Sequence, residues 1–267
     1  MKIGIIGYGY VGKAVYELLK THYEILIYDI NPDFTQKATY VNKEEINNCE
    51  MAIVCVPTPD KDKRCDTSIL EETVAWLDVP LILVKSTVAP TTIYSLKKKT
   101  GKHIVFSPEY IGEGKYFLPP WKYMHPTDMR QHPFQIFGGD RGDTNKCVDI
   151  FSPVLGPDCK FLQTDSTTAE LTKYMVNTWG AMKVTFVNEW FEIAKAFGAD
   201  YRELRELFLM DNRVERIHTA VFPEKRGFDG KCFPKDLNAI ITAAEDKNYS
   251  PELLKEVRKS NDKFRAN

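Results

Sequence analysis

The chain has 267 residues, 36 Lys and Arg against 37 Asp and Glu, and 43% hydrophobic residues, a size for one large domain or two modest ones with a real core. A net charge of −1 removes the electrostatic case for nucleic-acid binding, which needs a basic excess or a basic face. No apolar run reaches the roughly 18 residues needed to span a bilayer, so no membrane partner is expected.

Taken in chain order, Lys2–Ile6 reads as a strand, Gly7–Gly12 as a glycine-rich turn, Lys13–Lys20 as a helix, and Glu24–Tyr28 as a second strand ending at Asp29. Short apolar runs follow at Met51–Val56, Pro80–Val84, His103–Phe106 and Phe134–Phe137. They are rich in Val and Ile and closed by turn residues, the pattern of strands buried on both faces of a parallel sheet. The connections near 13–20 and 66–77 have room for helices, which gives an α/β class.

The texture changes near Asp165. Thr167-Thr168-Ala169-Glu170 predicts a capping box, with the threonine hydroxyl and Glu170 serving the first unpaired N–H groups of a helix. Leu171, Met175, Trp179, Met182, Phe186, Trp190, Ala194 and Phe197 then recur every three or four residues up to Gly198, predicting one helix of about thirty residues. Further helices are predicted from Asp200, near Asp236, and from Ser250-Pro251. The expected organisation is an α/β nucleotide-binding domain over 1–165 and a helical domain over 166–267.

Gly7-Tyr8-Gly9-Tyr10-Val11-Gly12 is GxGxxG directly after a strand and at the opening of a helix. Gly7 permits the tight turn, Gly9 lets the backbone approach a pyrophosphate, and Gly12 allows helix and strand to pack closely. Asp29 closes the next strand, where a carboxylate accepts from the ribose hydroxyls of NAD and repels the 2′-phosphate of NADP. Flavin dinucleotide uses the same fingerprint but brings further glycine-rich motifs, which are missing here. NAD is therefore the expected cofactor.

Six cysteines, Cys49, Cys55, Cys65, Cys147, Cys159 and Cys232, show no CxxC and no zinc spacing. No metal site is expected. The opening Met1–Gly12 reads as strand and turn and not as a signal peptide, so reduced thiols in a cytoplasmic protein are the expectation. Cys232 stands in a glycine-flanked loop beside Lys231 and Lys235 and close to a predicted helix start, surroundings that favour thiolate. It is either a nucleophile or a buried inert thiol. Lys173 and Asn177 share one helix face, as a solvated pair or as donors to a developing oxyanion. Glu109 and Glu113 are likewise a solvated pair or carboxylates that manage protons and water.

Read together, these segments closely resemble the UDP-glucose/GDP-mannose 6-dehydrogenase family. GYGYVG, CVPTP at Cys55–Pro59, KSTV from Lys85, SPE from Ser107, AExxKxxxN from Ala169 with Asn188-Glu189 beyond it, and GxxGxCFPKD from Gly227 follow the family's order. The resemblance implies a Rossmann domain joined by one long helix to a helical dimerisation domain. It implies oxidation of a primary alcohol of a nucleotide sugar to a carboxylate with two NAD, most closely UDP-glucose to UDP-glucuronate. An aldehyde cannot lose hydride until a nucleophile has added to it. By resemblance Cys232 adds to give a thiohemiacetal, and the thioester left by the second oxidation is hydrolysed.

Lys173 and Asn177 would then stabilise the oxyanions, with Asp236 assisting the lysine and the water. Thr87 and Glu113 would place that water, and Glu109 would handle protons. Tyr10, Val11, Thr58, Thr87 and Glu113 would join Gly7, Gly9, Gly12 and Asp29 around NAD. Glu109, Lys173, Asn177, Gly230 and Cys232 would face the sugar nucleotide, with Arg213 lent across a homodimer to the partner's substrate.

Two other functions fit part of the pattern. A β-hydroxyacid dehydrogenase also pairs a Rossmann domain with a lysine and an asparagine on a long helix, but needs no cysteine. A non-catalytic NAD-binding dimer has no reason to keep Cys232, Lys173, Asn177 and Asp236 together. Several positions depart from the family. Asp229-Gly230 replaces a double glycine, Gly112 stands where an arginine is common, and the interval between Asp29 and Met51 is short. Tyr116–Pro133, with His125 and His132, is long and aromatic, a packed loop or a substrate lid. Pro251–Asn267 resembles a helix that leads to a third, nucleotide-sugar-binding domain, which this chain is expected to lack.

Overall fold

The structure, a computed structural model, describes residues 1–31, 40–111 and 128–266. The chain divides into two compact units, Met1–Pro59 with Asp66–Lys173, and Asp60–Cys65 with Tyr174–Asn267.

The first unit begins with β1 (Lys2–Ile6), α1 (Tyr10–Leu19), β2 (Glu24–Tyr28), a single turn α2 (Lys43–Ile46) and β3 (Met51–Val54). The hairpin β4 (Asp60–Lys61) and β5 (Arg64–Cys65) interrupts it and belongs to the second unit. It resumes with α3 (Ser68–Trp76), β6 (Ile82–Val84), α4 (Thr92–Thr100), β7 (Ile104–Phe106), β8 (Phe134–Gly138), α5 (Arg141–Leu155) and β9 (Lys160–Thr164). The strands form one sheet in the order β2-β1-β3-β6-β7-β8-β9, with only the β7–β8 pair antiparallel. This is the expected α/β class.

Alternation along the central strands builds two cores. Ile3, Ile5, Met51, Ile53, Leu83 and Val105 face one layer, where they pack with residues of α1 and α5. Ile6, Ala52, Val54, Ile82, Val84, Ile104 and Phe106 face the other, with residues of α2, α3 and α4. Between Asp29 and Met51 the described residues hold α2 and an isolated parallel bridge from Tyr40 to Ile27.

α1 starts at Tyr10, three residues before the predicted Lys13, because the helix takes the glycine turn as its own N-terminus. α4, α5 and β9 carry no clear sequence signal, for physical reasons. α4 carries three consecutive lysines, α5 has Pro153 inside it, and β9 is a half-exposed edge strand without an apolar run.

The predicted capping box is corrected. α6 (Ser166–Ala196) is capped by Asp165, whose Oδ1 accepts from the Thr168 N–H at 2.9 Å and whose Oδ2 accepts from the Thr168 hydroxyl at 2.6 Å. Glu170 lies on the inward side of the helix, fully buried, and caps a different helix: its carboxylate accepts from Thr91 N–H at 2.6 Å and Ile93 N–H at 2.9 Å at the start of α4.

The second unit continues α6 and adds α7 (Tyr201–Phe208), α8 (Phe233–Glu245) and α9 (Glu252–Ala266). Ala181, Phe228, Leu237, Ile241 and Val257 make its core, with Met182, Val184, Phe233 and Leu254 packed around them. The β4–β5 hairpin is fastened to α8 and its cap, by Arg64 to Asp246 at 2.5 and 3.0 Å and by Asn238 to Asp60 at 3.3 Å. Among the described residues, no helix is long and apolar enough to cross a membrane.

Candidate functional site

In the first unit the strand order turns back between β1 and β3, and the carboxyl ends of these strands are where an open α/β sheet binds its ligand. The glycine turn sits there. Gly7 has φ +88°, and a Cβ on it would lie 2.7 Å from the Cys55 carbonyl oxygen. A Cβ on Gly12 would lie 2.0 Å from the Gly7 oxygen, so only glycine lets α1 start so close to the strand.

Gly9 is different: a Cβ there meets nothing within 4 Å, and its φ is an ordinary −76°. Among the described residues, nothing fills that space. Gly9 is the N-cap of α1, no side chain caps the helix, and its first turn has no acidic residue. The N–H groups at Tyr10 and Val11 thus begin a helix whose own first turn supplies no anion.

Asp29 is held at the end of β2, accepting from Tyr8 N–H at 2.6 Å and Asn31 N–H at 2.8 Å. Its remaining lone pairs can take ribose hydroxyls. Thr58, buried at the end of the β3 connection, donates its hydroxyl to the Thr87 carbonyl at 2.6 Å, tying together the loops after β3 and β6. The open anion end, the close-packed glycine and the oriented carboxylate fit NAD. Glu113 and Gly112 lie outside the described residues, as does His125. Of Tyr116–Pro133, the described part includes a single 3-10 turn at Met129–Gln131 and a buried His132.

The same unit pairs Lys173 with Glu109. Lys173 Nζ is 3.2 Å from Glu109 Oε1, donates to the Glu109 carbonyl at 2.5 Å, and lies 5.2 Å from the centre of the Tyr110 ring. Lys173 is 6% exposed, so it is not a solvated surface lysine. Glu109 Oε2 accepts from Ile111 N–H at 2.8 Å, which fixes the carboxylate.

Lys85 escaped sequence reasoning as a site residue. It is buried, donates to Ser107 Oγ at 3.0 Å and sits 5.9 Å from the Phe151 ring centre. Burial pushes its ammonium down to about 8. Its position in KSTV was the available signal, but nothing in the motif tells that this lysine points inward. Burial also pushes the thiols of Cys55 and Cys147 up to about 12, which leaves them inert.

In the second unit Cys232 is the exposed N-cap of α8, and Pro234 occupies that helix's first turn. One turn on, Asp236 is 1% exposed. Its Oδ2 accepts from Asn177 Nδ2 at 2.5 Å, and its Oδ1 lies 2.6 Å from Lys235 Nζ. Burial pulls the Lys235 ammonium down, but the adjoining Asp236 carboxylate outweighs it and holds the ammonium above its ordinary value.

Gly230 takes φ +88° just before the cysteine. Asp229 forms a 2.8 Å ion pair with Arg265. Arg213 is 89% exposed and forked onto Asp211 at 3.0 and 2.5 Å. All six cysteines are thiols with no disulfide among them.

Residues 167–263 match the UDP-glucose/GDP-mannose dehydrogenase family, central domain. A UDP-glucose 6-dehydrogenase of Rickettsia prowazekii is 28% identical over 238 residues, covering 84% of this chain and 52% of that protein. A UDP-glucose 6-dehydrogenase of Haloferax volcanii is 27% identical over 312 residues, covering 98% and 70%. The solved UDP-glucose dehydrogenase of Pyrobaculum islandicum shares the fold with a TM-score of 0.84 at 23% identity, over 98% of this chain and 68% of that one. The chain spans about half the length of the first curated relatives it matches. Over residues 167–263 the chain is similar to the central domain of the UDP-glucose/GDP-mannose dehydrogenase family, and over most of its length to UDP-glucose 6-dehydrogenases.

Proposed function

We propose that this protein oxidises a nucleotide sugar, most closely UDP-glucose to UDP-glucuronate, with NAD and through a cysteine. The observation that carries the reading is Cys232, exposed at the N-terminus of α8, one turn from the buried Asn177–Asp236–Lys235 network. NAD, when bound, accepts the hydride at each of the two oxidations. Gly7, Gly9, Gly12 and the first turn of α1 at Tyr10 and Val11 would hold its pyrophosphate, Asp29 its ribose, and Thr58 and Thr87 its nicotinamide end. Residues 1–165 form the cofactor domain in this reading, and 166–267 the catalytic and dimerisation domain.

A thiolate at Cys232 gains from the positive end of α8. It adds to the aldehyde carbon and gives a tetrahedral oxyanion. Lys173 and Asn177 are the donors for that oxyanion, and a buried, pre-oriented donor is worth more than one in water. Glu109 fixes Lys173 and exchanges protons with the substrate, while Asp236 fixes Asn177. After the second oxidation, water positioned by Thr87 and Glu113 hydrolyses the thioester. Gly230 leaves room for the sugar beside the thiol. A thiol nucleophile suits the reducing cytoplasm.

Arg213, exposed and unburied by its own chain, is the residue for a partner's substrate. That role requires a homodimer through the helical unit. The test is a panel of UDP- and GDP-sugars scored for NADH appearance. UDP-glucose is expected to give the highest kcat/KM; a chain that binds NAD and turns over no nucleotide sugar contradicts the proposal.

A further inference from the structure

The loop leading to Cys232 is held from two sides. From α6, Asn188 Oδ1 accepts from Arg226 Nε at 2.7 Å and from Gly227 N–H at 3.2 Å, and the Asn188 carbonyl accepts from Arg226 at 2.8 Å. Glu192 accepts from the same guanidinium at 2.5 Å. From α9, Asn261 accepts from Phe228 N–H at 2.7 Å and donates to the Phe228 carbonyl at 3.1 Å. Arg265 donates to the Arg226 carbonyl at 3.4 Å and to Asp229 Oδ2 at 2.8 Å.

Arg226 is the centre of this arrangement. Its side chain is 10% exposed, and its guanidinium lies 4.4 Å from the ring centre of Phe191 on α6 and 5.4 Å from that of Phe264 on α9. A planar cation with five donors can stack and hydrogen-bond at once, which lysine cannot. Gly227, with φ +68°, lets the backbone lie against Asn261, whose oxygen would be 2.5 Å from a Cβ.

Surface loops owe their mobility to backbone groups satisfied by water. Here the Arg226 carbonyl, the Gly227 N–H and both backbone groups of Phe228 are satisfied by side chains of two helices. The first residue after the fastened stretch is Gly230, and Cys232 follows two positions later. Asp229, the departure from the double glycine, does not project freely beside the thiol. It is the acceptor that Arg265 needs.

We propose that Arg226 and the Asp229–Arg265 ion pair are positioning residues for Cys232, clasping the 226–230 loop between α6 and α9 so that the thiol is presented at the start of α8 in one geometry. This rests on Cys232 being the nucleophile. The clasp acts on the loop and touches no reacting atom.

The experiment measures, on the full chain, the rate of Cys232 alkylation by iodoacetamide across pH by site-resolved mass spectrometry, beside kcat and KM for UDP-glucose and the melting temperature. Asp229→Asn and Arg265→Gln, both at partly exposed positions, should each change the alkylation rate by about threefold or more and lower kcat with little change in KM. The charge exchange Asp229→Arg with Arg265→Asp should restore the rate towards the parent. Arg226→Gln, if it folds, should exceed either single variant.

Alkylation profiles and kcat unchanged in Asp229→Asn and Arg265→Gln overturn the proposal, whatever Arg226→Gln does. A shifted alkylation rate in a chain that oxidises no nucleotide sugar leaves the clasp standing and sinks only the proposed substrate.

Discussion

Gly9 and Gly12 lie one turn apart in the same motif and are constrained by different partners. Gly12 is required by the fold, since any Cβ would collide with the Gly7 carbonyl, a backbone atom that cannot swing aside. Gly12→Ala should therefore cost about 1–3 kcal/mol of stability and weaken NAD binding with it. Among the described residues, nothing lies within 4 Å of a Cβ built on Gly9, whose φ is ordinary. Gly9→Ala should leave the melting temperature within about 1 °C of the parent while NAD affinity falls by tenfold or more (about 1.4 kcal/mol). Calorimetric titration and thermal melts on the two variants separate these effects; a Gly9→Ala chain that binds NAD normally would show that the open space is not the pyrophosphate site.

This contrast explains what was legible. GxGxxG with Asp29 could be read because its chemistry is local to one strand, turn and helix. Lys85 could not, because a lysine's burial depends on packing among strands distant in sequence.

At the scale of elements, Glu170 joins α6 to α4. Its carboxylate takes the first N–H groups of α4 in a fully buried position. Burial raises it to about 7, and the two N–H groups only partly offset that. The folded chain therefore binds a proton between about 4.5 and about 7 that the unfolded chain does not. Stability from this group is greatest at acid pH and falls as pH rises through that window, by an amount on the order of 3 kcal/mol.

Melting curves from pH 5 to pH 8 should slope downward for the parent and flatten in Glu170→Gln. Parallel curves would show that Glu170 titrates as an ordinary carboxylate. The expected capping box failed here because a sequence window shows which residues can cap but not which helix end they reach. Asp165, shorter and just before the helix, serves α6 and leaves Glu170 for α4. The long helix itself was legible, since its apolar spacing persists for about seven turns. The β4–β5 hairpin was not, since its strands have two residues each.

At the scale of the whole molecule, the helical unit exposes several large apolar side chains along α6. Trp179, Phe186 and Trp190 of α6 and Phe197 just after it are 52%, 50%, 40% and 87% exposed. Phe186, Val187 and Trp190 line a groove with Tyr201, Leu204 and Phe208 of α7. Such a face suits a partner, and the proposed homodimer would cover it. Light scattering should give a dimer at micromolar concentration, and Trp190→Glu should weaken it by about tenfold or more, because two-fold symmetry buries the charge twice. A parent chain that stays monomeric, or a dimer indifferent to Trp190→Glu, contradicts this assignment.

Cys232 sets the proposed reaction apart, because a thiol nucleophile would make a four-electron oxidation possible where hydride transfer from the alcohol alone stops at two. Its most direct test counts NADH formed per nucleotide sugar consumed by the parent chain and by Cys232→Ser. Two NADH and a carboxylate product from the parent, with the second oxidation lost in Cys232→Ser, is the predicted result. One NADH per substrate, unaffected by Cys232→Ser, would contradict it and place the chain with dehydrogenases that need no cysteine.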